Sequence, residues 1–248
     1  MMLALVSAKS PGVTVTALSL LRAWCGGAAM LVEADLSGTS VLPGFLGGAV
    51  GAEGRGLVPG LAVAHSHGVL AEQFVEQTLP LFDSAAGARR LLPGLRSPGD
   101  AAAAAELWNP LGEFLKNFGA ADAIVDMGRI GAPFDPRDDL LARADQVFLV
   151  TGSSLTDVWA ARGTVASRAT ALSGLWSAVV VGPGRPYGAE EVASAVGLPL
   201  AGTIAWDPRS AGVLAHGGKD ARSASGPLAR SAAVLATRVH ALAAGGRP

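Results

Sequence analysis

The sequence predicts an α/β protein with a mostly parallel, doubly wound sheet flanked by helices on both faces. Three observations carry that expectation. Short runs that are apolar throughout, such as Met2 to Val6, Ala28 to Val32 and Ala178 to Val181, read as strands buried on both faces. Between such runs lie segments with apolar residues three and four apart, which read as amphipathic helices. The two patterns alternate with short connections, the order that yields parallel strands joined by helical crossovers.

Composition agrees with a globular chain. Of 248 residues, 50% are apolar and 16% charged, which sets the chain apart from disordered sequences. The net charge of −1 gives no overall attraction to nucleic acid. A single cysteine, Cys25, excludes an intramolecular disulfide framework and a Cys-rich zinc site, and points to the reducing cytoplasm. The most apolar longer stretch, residues 17–34, is interrupted by Arg22, Gly26 and Gly27, so no segment reads as membrane-spanning. No basic flank precedes the first apolar run, so it does not read as a signal peptide.

The elements follow in order. Met2 to Val6 is a strand, Ser7 to Gly12 a turn of small residues, and Val13 to Trp24 a helix stopped by Gly26-Gly27. A strand feeding a helix through such a turn is how α/β folds build phosphate sites. Ala28 to Val32 is a strand that runs into Glu33-Ala34-Asp35; acids there lie at the carboxyl edge of a parallel sheet, where ligands bind. Val41 to Gln77 is Gly-rich and reads as loop with short helices. Arg89 to Leu92 is a short strand before Pro93-Gly94, and Pro98 to Phe118 reads as one long helix. Ala123 to Asp126 is a core strand ending in an acid, followed by a charged helix from Asp135 to Ala144. Gln146 to Thr151, Ala178 to Val181 and Leu200 to Ala205 are strands; Leu155 to Leu172 and Ala189 to Val196 are helices. Asp207 reads as the cap of a further helix with Pro208 in its first position. Pro227 to Leu242 is the last helix. Residues 1–244 are expected to form one domain and 245–248 a short tail.

Four stretches, in this order, resemble the MinD/ParA family of P-loop ATPases of the deviant Walker type. Ser7-Ala8-Lys9-Ser10-Pro11-Gly12-Val13-Thr14 is similar to its phosphate loop, LVEADLSG (31–38) to its second strand and first switch, and AIVDMG (123–128) to its Walker B strand. ADQVFLVT (144–151) and GTIAWDPRS (202–210) are similar to its later strands and base-pocket loop. The resemblance implies a nucleotide site for ATP or ADP with Mg²⁺. It assigns cofactor contacts to Lys9, Ser10, Pro11, Gly12, Val13, Thr14 and Pro208, catalytic positions to Asp35 and Asp126, and the metal to Thr14 and Asp126. It also implies a homodimer across the nucleotide face and protein partners.

The same stretch departs from the family pattern. Lys9 matches the family's signature lysine, but no lysine or arginine follows Gly12. In one alignment Val13 replaces the phosphate-binding lysine and Thr14 keeps the hydroxyl; in the ungapped one Thr14 replaces the lysine and Val15 the hydroxyl residue. Either way a charge-assisted contact worth about 1.5–3 kcal/mol is missing, and phosphoryl transfer depends on such charge. Arg129, just after the Walker B-like strand, is the candidate to compensate. The base-pocket Asn and Pro of the family are absent as well, the corresponding stretches reading VVVGPG and GTIAWDP.

Other features say less. His65 and His67 lie two apart with no third ligand nearby. Six basic residues and one acid follow from Arg209 onward, but they are scattered. The last helix is Ala-rich and lacks the Trp and Phe of a membrane-binding helix, so membrane association is not indicated. Three functions follow in order of preference. The first is a MinD/ParA-like protein with a degenerate nucleotide site that positions or adapts a cellular machine of division, secretion or pilus type; the pilus-positioning TadZ/CpaE proteins are the nearest analogy. The second is an active ATPase with a variant loop, switching between monomer and ATP-bound dimer. The third is a DNA-partitioning protein of ParA type.

Overall fold

In a computed structural model of the chain, the described residues are 1–9, 12–48, 54–131, 133–168, 175–218 and 221–244. The expected tail, 245–248, lies outside them. The strands are β1 (Met2–Ser7), β2 (Ala29–Glu33), β3 (Leu79–Phe82), β4 (Arg89–Leu92), β5 (Asp122–Arg129), β6 (Gln146–Gly152), β7 (Trp176–Val181) and β8 (Leu200–Ile204). They form one sheet in the order β3-β4-β2-β5-β1-β6-β7-β8, with only β3 antiparallel to its neighbour. The helices are α1 (Val13–Ala23), α2 (Ala62–Ser66), α3 (Leu70–Gln73), α4 (Ala101–Ala104), α5 (Trp108–Asn117), α6 (Asp138–Ala142), α7 (Leu155–Ser167), α8 (Ala189–Val196), α9 (Pro208–His216) and α10 (Pro227–Ala244). None of these is long and apolar enough to cross a membrane.

Alternation along the strands splits the core in two. In β1, Met2, Ala4 and Val6 face one layer, with Trp108, Leu111, Leu140 and Ala161 from α5, α6 and α7. Leu3 and Leu5 face the other layer, with Leu20, Leu21, Leu214 and Leu235 from α1, α9 and α10. Because both faces are covered, the central strands carry apolar residues throughout, which is why they read clearly in the sequence.

Two expectations need correction, and one strand was not expected. Pro98 to Phe118 is not one helix: 3₁₀ turns at Pro98–Asp100 and Ala105–Leu107 flank α4, and the regular helix starts at Trp108. Pro110, in the first turn of α5, offers no N–H to the Glu106 carbonyl four residues back and its ring crowds that carbonyl, so the regular helix does not extend back through 105–107. The helix expected from Asp135 spans only Asp138–Ala142, because Asp135 and Arg137 are drawn into a buried ion pair. The edge strand β3 was hidden by Pro80, which an edge position tolerates.

Candidate functional site

The carboxyl ends of β1, β2 and β5 meet at one corner of the sheet. Leu5 and Glu33 both stand in register with Asp126. Beyond β1 the chain turns into α1 through Gly12, which holds φ +110° at the helix N-cap. The left-handed conformation suits glycine and leaves the first turn without a side-chain cap.

Asp126 is buried and accepts hydrogen bonds from the Thr14 hydroxyl and from the Gly128 N–H at 2.9 Å. Burial raises its pKa, those two donors lower it, and the charges of Glu33 and Asp35 raise it again, to a net value of about 7. Asp35 lies against the same strand end. Gly128 has φ +57°, and a Cβ there would come within 1.9 Å of the Asp35 carboxylate, so only glycine lets the two acids converge. The Asp35 carboxylate also accepts from the Ser37 N–H at 2.8 Å.

Glu33, which the sequence places at the ligand edge of the sheet without giving it a role, has a definite one in the structure. It is buried, and its carboxylate accepts from the Thr39 hydroxyl at 2.5 Å, the N–H groups of Ser40 and Val41 at 2.8 and 3.0 Å, and the Gly94 N–H at 3.3 Å. Burial outweighs these donors and raises its pKa. Glu33 thus ties the segment after β2 to the loop after β4. The Ser40 hydroxyl reaches within 3.5 Å of Thr14, linking that segment to the start of α1. Its only sequence signal was an acid at the end of an otherwise apolar strand.

The phosphate end differs. Val13 is buried in the core layer with Leu3, Leu5 and Phe148. The Thr14 hydroxyl donates to the Asp126 carboxylate. Lys9 is exposed and lies in a surface groove with Leu155, Thr156, Trp159 and Ala160 at the start of α7. Arg129 is exposed; its carbonyl accepts from Arg137 at 2.9 Å. Ser10 and Pro11 lie outside the described residues.

Arg137 was missed. It is buried, pairs with both oxygens of Asp135 at 2.7 Å, and donates to the carbonyls of Ala34 (2.8 Å) and Met127. It holds the ends of β2 and β5 together behind the acid corner.

A cavity of about 320 Å³ opens between α1, β8 and α9. Gly12, Thr16, Ile204, Trp206, Pro208 and Gly212 are among the residues that line it. Asp207 caps α9, accepting from the Ser210 N–H at 3.1 Å, with Pro208 in the first position.

The residues present fit a Mg²⁺–nucleotide group at one end only. Thr14 and Asp126 form a hydroxyl–carboxylate pair suited to a cation's shell. At the phosphate end the position expected to carry a cation holds a buried valine.

No protein-family model matches the chain, and no curated protein matches it in sequence. Solved structures do match its fold. A ParA family ATPase from Chlorobium tepidum superposes with a TM-score of 0.71 at 14% identity, covering 95% of this chain and 98% of that one. The septum site-determining protein MinD from Pyrococcus horikoshii, complexed with Mg-ADP, gives 0.69 at 18% identity, over 98% and 96% of the two chains. MinD in the MinC:MinD cell division complex of Aquifex aeolicus gives 0.69 at 16% identity, over 100% and 96%.

Proposed function

From a chain with the MinD/ParA-type fold, we propose a positioning or adaptor protein that works in the cytoplasm through protein contacts, with a nucleotide site that has lost its hold on phosphate. The observation that carries this reading is Val13, buried in the core where the fold's phosphate-binding lysine is expected. A valine there can neither reach a phosphate nor neutralise it. Partner binding is supported by bulky apolar side chains left exposed beyond the carboxyl ends of β5 and β6: Phe134 at 85%, Trp159 at 76% and Leu155 at 62%. The same face would serve a homodimer. MinD from Aquifex aeolicus occurs in complex with MinC, so the fold supports protein partners.

A second reading, an active ATPase, draws on one observation: the acid corner is intact, with Thr14 on Asp126 and Asp35 held beside it by Gly128. In that reading Thr14 and Asp126 would hold Mg²⁺ with ATP or ADP, and the ion would supply positive charge for the phosphates. This chain's own contribution is to hold Asp126 buried and to orient Thr14.

Phosphate release with Mg-ATP, measured for the wild type, Asp126→Ala and Val13→Lys, separates the two. The degenerate site predicts equal background rates in wild type and Asp126→Ala. It also predicts that Val13→Lys gains about tenfold in Mg-ATP affinity by calorimetry, the worth of one charge-assisted contact. Wild-type turnover above that of Asp126→Ala overturns the proposal in favour of the second reading.

A further inference from the structure

The two helical layers carry opposite charge. On one face of the sheet, α1, α9 and α10 contain Arg22, Arg209, Arg230 and Arg238 and no acid, with Asp207 at the cap of α9. On the other face, the short helices and turns of 70–77 and 98–117 carry Glu72, Glu76, Asp100, Glu106 and Glu113. Their one cation is Lys116, which pairs with Asp145. The sheet separates the layers, so the difference runs across the molecule.

Each layer also leaves apolar surface uncovered. α10 buries Leu228, Ala232, Leu235 and Val239 against α1 and β8 and turns the opposite stripe outward. Arg230, Val234 and Arg238 follow each other four residues apart on that stripe, all exposed, Val234 at 70%. The two arginines stand about 12 Å apart along the helix, with the valine between them. In the other layer a groove of about 590 Å³ opens at the end of α5, with Pro110, Phe114 and Phe118 in its walls. Phe74 packs on both rings, the centroids of the three lying 4.5 to 5.4 Å apart, and Phe114 and Phe118 stay half-exposed.

The groove has an acidic rim. Glu113 is part of its lining, Glu106 precedes Pro110 by four residues, and Glu72 and Glu76 lie two residues either side of Phe74. Glu113 pairs with Arg143 at 2.9 Å. Among the described residues Glu72, Glu76 and Glu106 form no ion pair, and neither do Arg230 and Arg238. Each face therefore lacks the counter-charge that the other face of an identical molecule presents.

We infer that a second copy of this chain docks here, Val234 of one molecule seated in the Phe114–Phe118 groove of the next and its arginines against the acidic rim. Stripe and groove lie on opposite faces of the sheet, so the contact is heterologous and repeats into open rows instead of closing as a two-fold pair. The inference goes beyond the functional reading: rows form with or without nucleotide and give an adaptor many copies of its partner-binding face.

Sedimentation velocity of the full-length protein over a range of concentrations tests it. At about 50 mM salt the mass is expected to grow past that of a dimer, and at about 500 mM association is expected to be at least tenfold weaker. Arg230→Glu/Arg238→Glu reverses the stripe and Glu76→Arg/Glu106→Arg reverses the rim. These side chains are exposed and make no ion pair, and circular dichroism checks that the variants fold. Each double variant alone is expected to associate at least tenfold more weakly than wild type. Mixed, they again present opposite charges at every contact, so the mixture is expected to be heavier than either alone.

A mass that stays at the monomer or stops at the dimer in low salt overturns the inference. So does a folded double variant that associates within tenfold of wild type, or a mixture no heavier than its parts. A monomer that binds a DNA duplex or vesicles of phosphatidylglycerol through Arg230 and Arg238 gives the stripe to another partner and overturns it as well. Turnover of ATP by the wild type overturns the functional proposal and leaves the rows standing; monomers without turnover remove the rows alone.

Discussion

Two buried charge clusters adjoin at the ends of β2 and β5, and they are built on opposite plans. Asp135 has a cation inside the chain. Burial alone would raise its pKa, but the hydrogen bonds and charge of Arg137 hold it below the usual carboxylate range. Asp126 and Glu33 are as deeply buried, yet the groups that stabilise them are neutral donors, and both have raised pKa values. A carboxylate paired within the fold serves the fold. A buried acid left to hydroxyls and amides beside a second acid is destabilising as an ion, and a bound cation would relieve it. The difference separates scaffold from site more sharply than burial does.

The largest test breaks the paired cluster. Arg137→Ala leaves Asp135 as an uncompensated buried charge and strands the carbonyls of Ala34, Met127 and Arg129. A loss of about 5 kcal/mol is expected, the upper end for breaking a buried pair, read as a lower denaturation midpoint in urea. A loss below about 1 kcal/mol would show that the pair is not the scaffold described here.

The next test concerns the unpaired cluster and runs the other way. A carboxyl with a folded pKa of about 7 and an ordinary value of 3.8 binds its proton more tightly in the native state. Its contribution is therefore fully present below pH 3.8 and is lost as pH rises towards 7. At about 1.4 kcal/mol per pH unit, the loss approaches about 4 kcal/mol. Asp126→Asn removes the titrating group, so its stability should be flatter than wild type between pH 5 and 8 and higher at pH 8. Parallel curves for the two proteins would place the raised group elsewhere.

What the sequence disclosed follows the same division. The buried strands were legible because a strand covered on both faces has no polar positions to blur its pattern. Asp35, Asp126 and Thr14 were found through a motif whose order along the chain fixes their place at one edge. Arg137 was not found: Asp135, Arg137, Asp138 and Asp139 read as part of a charged helix, and only tertiary placement buries the Asp135–Arg137 pair. Glu33 was placed at the ligand edge, but its role was not legible because its donors come from 39–41 and from Gly94, on a different loop. The cavity joins residues from 12 to 228; Gly12, Pro208 and the loop around it were legible from the sequence, whereas the walls from α9 and α10 come together through tertiary placement alone.

Glu33 offers the smallest and most local test, because it belongs to the unpaired cluster but is fully hydrogen-bonded. Glu33→Gln keeps the shape and one acceptor oxygen but puts an NH₂ in place of the other, opposite either the Ser40 and Val41 N–H groups or the Thr39 hydroxyl and the Gly94 N–H. At least one of those N–H groups then loses its partner, which costs about 1–3 kcal/mol. Some of that cost is offset, because the variant no longer buries an acid beside Asp126. The net stability change should therefore be small, while the local change is large: amide hydrogen exchange at Ser40 and Val41 should accelerate more than at Leu3 or Ile124 in the central strands. If Glu33 were only a buried charge to be tolerated, the variant would be more stable and those amides would stay protected. Faster exchange confined to the 39–41 segment would show instead that this carboxylate fastens the loop over Thr14, so that the unpaired cluster shapes the site as well as charging it.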